Sequence, residues 1–198
     1  MKNLIYILFF ILLSCVNIFA QKVKIHTTEG VIVLQLYGDK APITVNNFLK
    51  LVKSDFYKNG SFYRVVRTDN QIPEKPKIEV IQGGAGFGTD STYAGTAIEL
   101  ERTSLTGIKH VNGAISMARF KPNSATSEFF ICINDQPTLD FGGARNPDGQ
   151  GFAAFGVVIK GMKVVRKIQS GKTTLMPRLD LPQKLIDPVK IIKISVID

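Results

Sequence analysis

The 198-residue sequence contains no tryptophan, only two histidines and only two cysteines. Cys15 lies in an apolar N-terminal stretch, and Cys132 lies in the apolar run of residues 129–133. If the N-terminal stretch is removed, a single thiol remains, so no internal disulfide can form. Cys132 is then expected to be a small apolar core residue, because only His26 and His110 could act as its base.

Acidic residues are also in deficit, with 16 Asp and Glu against 25 Lys and Arg and a net charge of +9. A basic balance is compatible with nucleic-acid or anionic-membrane partners. The basic residues do not cluster, however, and the densest group is only Lys163, Arg166 and Lys167. We therefore expect a solvated basic surface and no nucleic-acid partner.

No apolar run quite reaches the about 20 residues that a membrane-spanning helix needs. The longest run, residues 4–19, follows Lys2 and ends at the small residue Ala20. This pattern is typical of a secretory signal peptide. The sequence therefore predicts a signal peptide over residues 1–20, a single domain over residues 21–198, and export to the periplasm. Two alternatives stay open. The first is a lipoprotein anchored through Cys15, because the Leu-Leu-Ser before this cysteine resembles a lipidation signal. The second is an apolar segment that is not cleaved and anchors the protein in the membrane.

Period-two and period-3.6 apolar patterns divide the rest of the chain into strands and two helices. Helices are predicted from Pro42 onward and over residues 162–168, and long loops over residues 67–77, 85–96 and 140–151. The absence of a βαβ rhythm predicts a mainly β protein, an antiparallel barrel capped by two α-helices. The strand patterns are those of residues 23–26, 31–37, 62–66, 78–82, 114–118, 129–133, 153–159 and 189–196.

Five segments stand out in sequence order: 41–48 (Ala-Pro-Ile-Thr-Val-Asn-Asn-Phe), 62–65 (Phe-Tyr-Arg-Val), 81–84 (Ile-Gln-Gly-Gly), 112–118 (Asn-Gly-Ala-Ile-Ser-Met-Ala) and 127–131 (Ser-Glu-Phe-Phe-Ile). Together they resemble the motifs of the cyclophilin family, and the resemblance extends over about residues 23–197. It implies a closed eight-stranded antiparallel β-barrel with two capping helices. It also implies an enzyme that catalyses rotation about X-Pro peptide bonds and needs no cofactor or metal.

The resemblance further implies the site residues. Arg64 is the expected catalytic residue, Gln82 is expected to orient it, and Phe130 is expected to form the floor of a proline pocket. His110 resembles a structural histidine of the family rather than a base. Glu128 stands where the family usually has glutamine, and it is expected to pair with Arg119 or Arg64. The further expected substrate-binding residues are Phe62, Val80, Ala118, Arg119, Glu128, Leu139 and Phe152.

An arginine suits this reaction for a physical reason. The peptide C–N bond has partial double-bond character and a rotation barrier of about 18–20 kcal/mol. At the transition state the amide is twisted, and its nitrogen lone pair becomes able to accept a hydrogen bond. A fixed donor aimed at that nitrogen binds the twisted amide better than the planar one, and only this difference accelerates the reaction. The guanidinium of Arg64 is a permanently charged group with five N–H donors.

The sequence also departs from the family pattern. The segment between Arg64 and Gln82 is enlarged by residues 67–77, and residues 141–151 form a further insertion. Glu79 and Thr138 stand where the family usually has an aromatic residue and a tryptophan, and Phe152 where it has a histidine. We therefore expect reduced activity and weak cyclosporin sensitivity. The expected partners of a monomeric protein are proline-containing unfolded or flexible polypeptides, and the alternative is a weakly active or inactive module that binds proline segments.

Overall fold

The structure, a computed structural model, describes residues 21–85, 95–176 and 180–197. The predicted signal peptide, Cys15 and most of the predicted loop 85–96 lie outside the described residues. Helices are α1 (Pro42–Lys53), α2 (Thr103–Thr106) and α3 (Met162–Gln169), with a 3-10 turn at Pro137–Leu139. The strands are β1 (Lys22–Thr27), β2 (Gly30–Leu36), β3 (Ser61–Val66), β4 (Val80–Gly84), β5 (Ala114–Met117), β6 (Phe129–Cys132), β7 (Ala153–Lys160), β8 (Thr173–Met176) and β9 (Leu181–Ile197).

Eight of these strands close into an antiparallel barrel. They pair in the order β1-β2-β7-β5-β6-β4-β3-β9, and β9 pairs again with β1. Closure leaves no free sheet edge within the ring. The predicted eight-stranded barrel is therefore confirmed. The remaining strand, β8, pairs with the first part of β9 outside the ring, from Thr173 opposite Leu185 to Met176 opposite Leu181.

Aromatic side chains fill the barrel interior beneath α1. Phe48 of this helix packs edge-on against Phe129, with ring centroids 5.6 Å apart, and lies 5.3 Å from Phe155. The predicted apolar face of α1 is confirmed, because Val45, Phe48 and Leu49 are all buried. This burial provides most of what holds the helix on the barrel, since a short helix has little stability of its own.

The N-terminus of α1 is capped from far along the chain. Ala41 precedes the helix and offers no side-chain acceptor. Instead, the Glu101 carboxylate accepts hydrogen bonds from the backbone N–H groups of Ile43 (3.0 Å) and Thr44 (2.7 Å) and from the Thr44 hydroxyl. A carboxylate there satisfies otherwise unpaired donors and complements the helix dipole.

A second apolar cluster lies on the outer face of β3, β4 and β6. It includes Val66, Val80, Phe130 and Leu139, with Phe152 packed against it. Cys132 also belongs to this cluster, and burial raises the pKa of its thiol, which confirms its expected place in the core. Within the described ranges, no helix is long and apolar enough to cross a membrane.

Candidate active site

A β-bulge in β3 decides which side chains reach the outer face. Phe62 pairs with Gly83 and Arg64 with Gln82, so Tyr63 is an extra residue in the ladder. Such a bulge interrupts the strict alternation of a strand. As a result Tyr63 and Arg64 both bond to polar partners on the outer face.

Phe62 is the predicted site residue that the structure places elsewhere. Its side chain is fully buried in the barrel interior, edge-on to Phe129 with ring centroids 5.7 Å apart. The prediction that Phe62 binds substrate is therefore wrong. The physical reason is the bulge, which turns Phe62 toward the interior core that it shares with Val65.

A cavity of about 320 Å³ opens on the outer face, and Arg64, Gln82 and Phe130 line it together. The other predicted residues in its wall are Val80, Ala118, Arg119, Glu128, Leu139 and Phe152. Residues that the sequence did not single out complete the lining, and these include Ile78, Arg145 and Met176.

Two glutamines hold the Arg64 guanidinium. Its Nη1 donates to Gln82 Oε1 at 2.7 Å, while Nε and Nη2 donate to Gln183 Oε1 at 3.0 and 2.7 Å. Burial lowers the pKa of Arg64 to about 10, so the group still carries its charge at neutral pH. Both partners are neutral amides, which orient the cation without cancelling its charge.

A chain of hydrogen bonds fixes the orientation of Gln82. Its Nε2 donates to the Tyr63 hydroxyl at 2.9 Å, and that hydroxyl donates to Glu128 Oε2 at 2.5 Å. Because the tyrosine proton is committed to the carboxylate, the phenol oxygen must accept from the amide nitrogen. The amide oxygen of Gln82 is thereby turned toward Arg64. Burial and the neighbouring Glu128 raise the pKa of Tyr63, which keeps this proton in place.

The expected pairing of Glu128 with Arg119 or Arg64 is wrong. Arg119 instead forms a bidentate ion pair with Asp148, at 2.7 and 2.9 Å, and Arg64 binds the two glutamines. The hydrogen bonds from Arg119, together with a backbone N–H, hold the pKa of Asp148 below its usual value. The physical reason is that the inserted loop 141–151 brings the Asp148 carboxylate within hydrogen-bond distance of the Arg119 guanidinium.

Arg119 also packs its guanidinium over the Phe152 ring, 5.1 Å from the ring centroid. Phe152 in turn meets Phe130 edge-on at 5.3 Å. These two rings, with Leu139 and Val80, give the cavity an apolar floor suited to a proline ring.

His110 lies behind this floor, and its structural role is confirmed. Its ring stacks on Phe130 at 6.0 Å, and its two nitrogens bond to Asp140 Oδ1 (2.8 Å) and Ser116 Oγ (3.0 Å). Partial burial alone would raise the pKa of Asp140, but the hydrogen bonds from His110 hold it below its usual value.

The two enlarged loops meet at one end of the cavity. Arg145, from the 141–151 insertion, donates from Nη1 to Gln71 Oε1 (2.9 Å) and to the Pro76 carbonyl (2.8 Å) of the 67–77 loop. Nearby, the hydroxyl of Thr138 is buried without a hydrogen-bond partner among the described residues. Glu79 bonds to Asn134 Nδ2 at 2.8 Å and takes no part in the lining.

Gln183 is the most important residue that the sequence prediction missed. The signal was the alternation of Leu181, Gln183 and Leu185, which share one face of β9. Gln183 and Leu185 on that face are both buried. A glutamine on a buried face needs hydrogen-bond partners, and this pattern could have drawn attention to it.

Comparisons with known proteins place this geometry in a family. The profile of the family described as "Cyclophilin type peptidyl-prolyl cis-trans isomerase/CLD" matches residues 22–196. A peptidyl-prolyl cis-trans isomerase of Acinetobacter baylyi is 36% identical over 198 residues, covering 99% of this chain and 96% of that protein. Peptidyl-prolyl cis-trans isomerase B of Escherichia coli is 37% identical over 152 residues, covering 76% of this chain and 85% of that protein.

Solved structures agree with these sequence relatives. A cyclophilin-type isomerase of Cryptosporidium parvum superposes with a TM-score of 0.68 at 26% identity, covering 91% of this chain and 99% of its own. A structure of that protein in the presence of the dipeptide Ala-Pro also gives 0.68, at 28% identity, with 90% of this chain and 99% of its own covered. This chain belongs to the cyclophilin-type peptidyl-prolyl cis-trans isomerases. It is thus an enzyme of the class that interconverts the cis and trans forms of X-Pro peptide bonds.

Proposed function

We propose that this isomerase acts on proline-containing segments of exported proteins, assists their folding, and uses Arg64 as its catalytic residue. The observation that carries the proposal is the Arg64 guanidinium, held by Gln82 at the wall of a cavity whose floor is Phe130. The proline ring occupies the apolar floor, and the guanidinium faces the reacting amide.

The donor count of Arg64 supports this role. A guanidinium has five N–H groups, and three of them are used on Gln82 and Gln183. The remaining two, one each on Nη1 and Nη2, are left for substrate. One of them donates to the prolyl nitrogen when the amide twists, which stabilises the transition state more than the planar ground state. Because the guanidinium is already fixed in place, little reorganisation is needed during the reaction.

The other lining residues then position the substrate. Phe130, Leu139 and Phe152, with Val80 and Ala118, bury the proline ring. Gln82 orients Arg64 and meets the substrate carbonyl. The backbone of Arg119 is proposed to bond the substrate chain, and Glu128 acts on the substrate site through Tyr63.

The test is a protease-coupled assay on a short Ala-Pro-Phe peptide. Arg64→Ala is expected to lower kcat/KM by about 100-fold or more, by analogy with the removal of a preorganised transition-state donor. Arg166→Ala is the matched control, because this exposed arginine on α3 bonds only Asn112 and Asn134 among the described residues. Circular dichroism verifies that both variants fold. A fully active, folded Arg64→Ala variant contradicts the catalytic role.

Export and the folding role need separate measurements. The support for export is the basic start, apolar run and Ala20 of the first 20 residues. Mass spectrometry of the protein from the cell envelope should show a chain that begins at Gln21, and lipid on Cys15 or an intact N-terminus contradicts this. The protein should also accelerate the slow refolding phase of a client whose folding is limited by proline isomerisation. We expect a monomer in size-exclusion chromatography and no retention on nucleic acid.

A second candidate is a module that binds proline segments with little turnover. Thr138 at the position expected for tryptophan, and the loops crowded at one end of the cavity, favour it. In that case the peptide assay shows no acceleration, while the protein still suppresses aggregation of an unfolded client.

A further inference from the structure

The first part of β9 lies beside the proposed catalytic arginine. It pairs with β8 outside the closed ring and with β3 at Arg64, which lies opposite Lys184. Asn70 of the enlarged 67–77 loop fastens this segment, because its Nδ2 donates to the carbonyls of Pro182 (3.1 Å) and Val65 (3.2 Å).

Gln183, next to the strand position opposite Arg64, is fully buried and has both ends of its amide engaged. Its Oε1 accepts from two nitrogens of Arg64, and its Nε2 donates to the Asn70 carbonyl at 2.8 Å. A flip of the amide would set N–H groups against the guanidinium and an oxygen against a carbonyl. The orientation of Gln183 is therefore fixed.

Gln183 and Gln82 act on different edges of the guanidinium. Gln183 holds the Nε and Nη2 edge, and Gln82 holds Nη1, so the plane of the group is defined at three N–H positions. A carboxylate at either place would hold the arginine as well, but it would also offset its positive charge. The two glutamine side chains fix the position of the guanidinium and leave its positive charge to interact with the twisted X-Pro bond of the substrate.

We infer that Gln183 is a positioning residue of this isomerase, which fixes the plane of the Arg64 guanidinium while leaving its charge uncompensated. The inference rests on the catalytic role proposed for Arg64. It assigns a function to the first part of β9, the stretch that pairs with β8 on one side and with Arg64 of β3 on the other. Gln183 is not among the residues that form the cavity floor for the proline ring. Loss of the Gln183 side chain should therefore change kcat much more than KM.

Two substitutions test the two parts of this inference. Gln183→Leu removes both hydrogen bonds to Arg64, and we expect kcat to fall by about 10- to 100-fold with KM within about twofold of the original value. In NMR spectra, the Arg64 Nε–H should exchange with water faster than in the original protein. Gln183→Glu keeps the shape and the acceptors for Arg64 and loses only the donor to the Asn70 carbonyl, so Nε–H protection should persist while kcat falls by about fivefold or more as the charge is offset.

Leu185→Val is the matched control, because Leu185 is buried in the same segment two residues away and its apolar side chain belongs to the interior core. It should reduce stability and leave kcat unchanged. Full kcat in both folded Gln183 variants, with Arg64→Ala inactive, overturns the inference and leaves the proposed function intact. An active Arg64→Ala variant instead removes the proposed function. If Gln183→Leu does not fold, the isosteric Gln183→Glu variant alone decides.

An independent observation concerns Arg145 at the end of the cavity where the loops meet. Arg119 has Asp148 as its counter-ion, but no described carboxylate lies within ion-pair distance of Arg145. Among the described residues, its half-buried guanidinium bonds only neutral groups, Gln71 and the Pro76 carbonyl, through Nη1. Burial lowers the pKa of Arg145, as expected for a cation without an anionic partner.

Arg145 is also held in place before any substrate binds. Its backbone N–H donates to the Thr138 carbonyl at 3.1 Å, and Nη1 is fixed by the two bonds to the 67–77 loop. Nε and Nη2 have no hydrogen-bond partner in the described part of the chain, and Arg145 lines the cavity together with Ile78 and Met176. A fixed guanidinium that offers donors on two neighbouring nitrogens matches the geometry of a carboxylate.

We propose that Arg145 is a binding site for an acidic side chain of the substrate, close to the isomerising proline. This proposal deepens the proposed function, on which it rests, by naming the substrate class. An aspartate or glutamate near the proline would supply the missing anion. A lysine at the same position would be disfavoured by the charges of Arg145 and Arg64.

The test measures cis-trans exchange by NMR in proline peptides that carry Glu, Gln or Lys one or two residues to either side of the proline. At one position, KM for the Glu peptide should be about 3- to 10-fold lower than for the Gln peptide, and 1 M NaCl should reduce this difference. Arg145→Gln should abolish the preference, and Arg145→Glu should favour Lys.

Arg166→Gln makes the same change of net charge on the exposed face of α3 and should leave the preference intact. Turnover of the Gln peptides with no preference for Glu at any position, and no effect of salt, overturns the proposal while the isomerase function stands. Absence of turnover for every peptide argues against the proposed function itself.

Discussion

Replacing Tyr63 by phenylalanine isolates the hydrogen-bond chain behind the active arginine. The substitution removes the hydroxyl that accepts from Gln82 at 2.9 Å and donates to Glu128 at 2.5 Å, and it leaves the ring in place. A hydrogen bond to a charged group contributes about 1.5–3 kcal/mol, and a neutral one about 0.5–1.5 kcal/mol. The free energy of unfolding should therefore fall by about 2–4.5 kcal/mol.

The same substitution should affect catalysis through Gln82. Without the phenol, the Gln82 amide loses the contact that turns its oxygen toward Arg64, so we expect kcat to fall by about 10-fold. Binding of a proline peptide should change little, because Phe130 and Leu139 form the cavity floor independently of Tyr63.

Tyr57→Phe is the matched control for this experiment. The Tyr57 hydroxyl is also buried and donates to the Ser127 carbonyl at 2.8 Å, but it takes no part in the hydrogen-bond chain to Arg64. It should lose about 0.5–1.5 kcal/mol of stability and keep its full kcat. Urea unfolding and the peptide assay measure both quantities. If Tyr63→Phe loses no more stability than Tyr57→Phe and keeps full activity, the proposed role of the chain is refuted.

Three further predictions concern pH and inhibition. Because burial lowers the pKa of Arg64 to about 10, activity measured by NMR exchange should be lost reversibly as the pH rises through about 10, and a flat profile to pH 11.5 contradicts this. The pKa of Asp140 is depressed, so its stabilising effect is present above about pH 4 and is lost as the pH falls through the lowered value. Asp140→Asn should remove that part of the acid dependence of unfolding, and an unchanged dependence would contradict the assignment. With Thr138 at the position expected for tryptophan, cyclosporin should inhibit weakly, and a tight inhibition constant refutes this.

The sequence predicted the barrel because its signals are local. Alternating apolar residues such as Ile32 and Leu34 identify strands, and the spacing of Val45, Phe48 and Leu49 identifies α1. Each of these patterns arises because one face of the strand or helix is buried, and these residues are buried in the structure. The additional strand β8 was missed because only Met176 of its four residues is fully buried, so no alternation marks it.

The site was only partly predictable because one bulge and one distant segment determine it. Strict alternation along β3 cannot place both Tyr63 and Arg64 on the outer face, and the resemblance to the family implied a substrate-binding role for Phe62 that its inward position excludes. The contact of Gln183 with Arg64 joins positions 119 residues apart. Such a contact follows from the closure of the sheet and has no local pattern in the sequence.

The residues on the barrel strands and those on the enlarged loops occupy different parts of the cavity. Arg64, Gln82 and Phe130 lie on adjacent barrel strands, whose hydrogen-bonded ladders fix their relative positions. Arg145 comes from the 141–151 insertion, at the end of the cavity where this loop meets the 67–77 loop. Rigid strands suit groups that must meet a transition state, whereas loops tolerate change and set specificity. Differences from other members of the family should therefore appear mainly in which proline segments bind, and the chemical step should depend on how firmly Gln82 and Gln183 hold one cation.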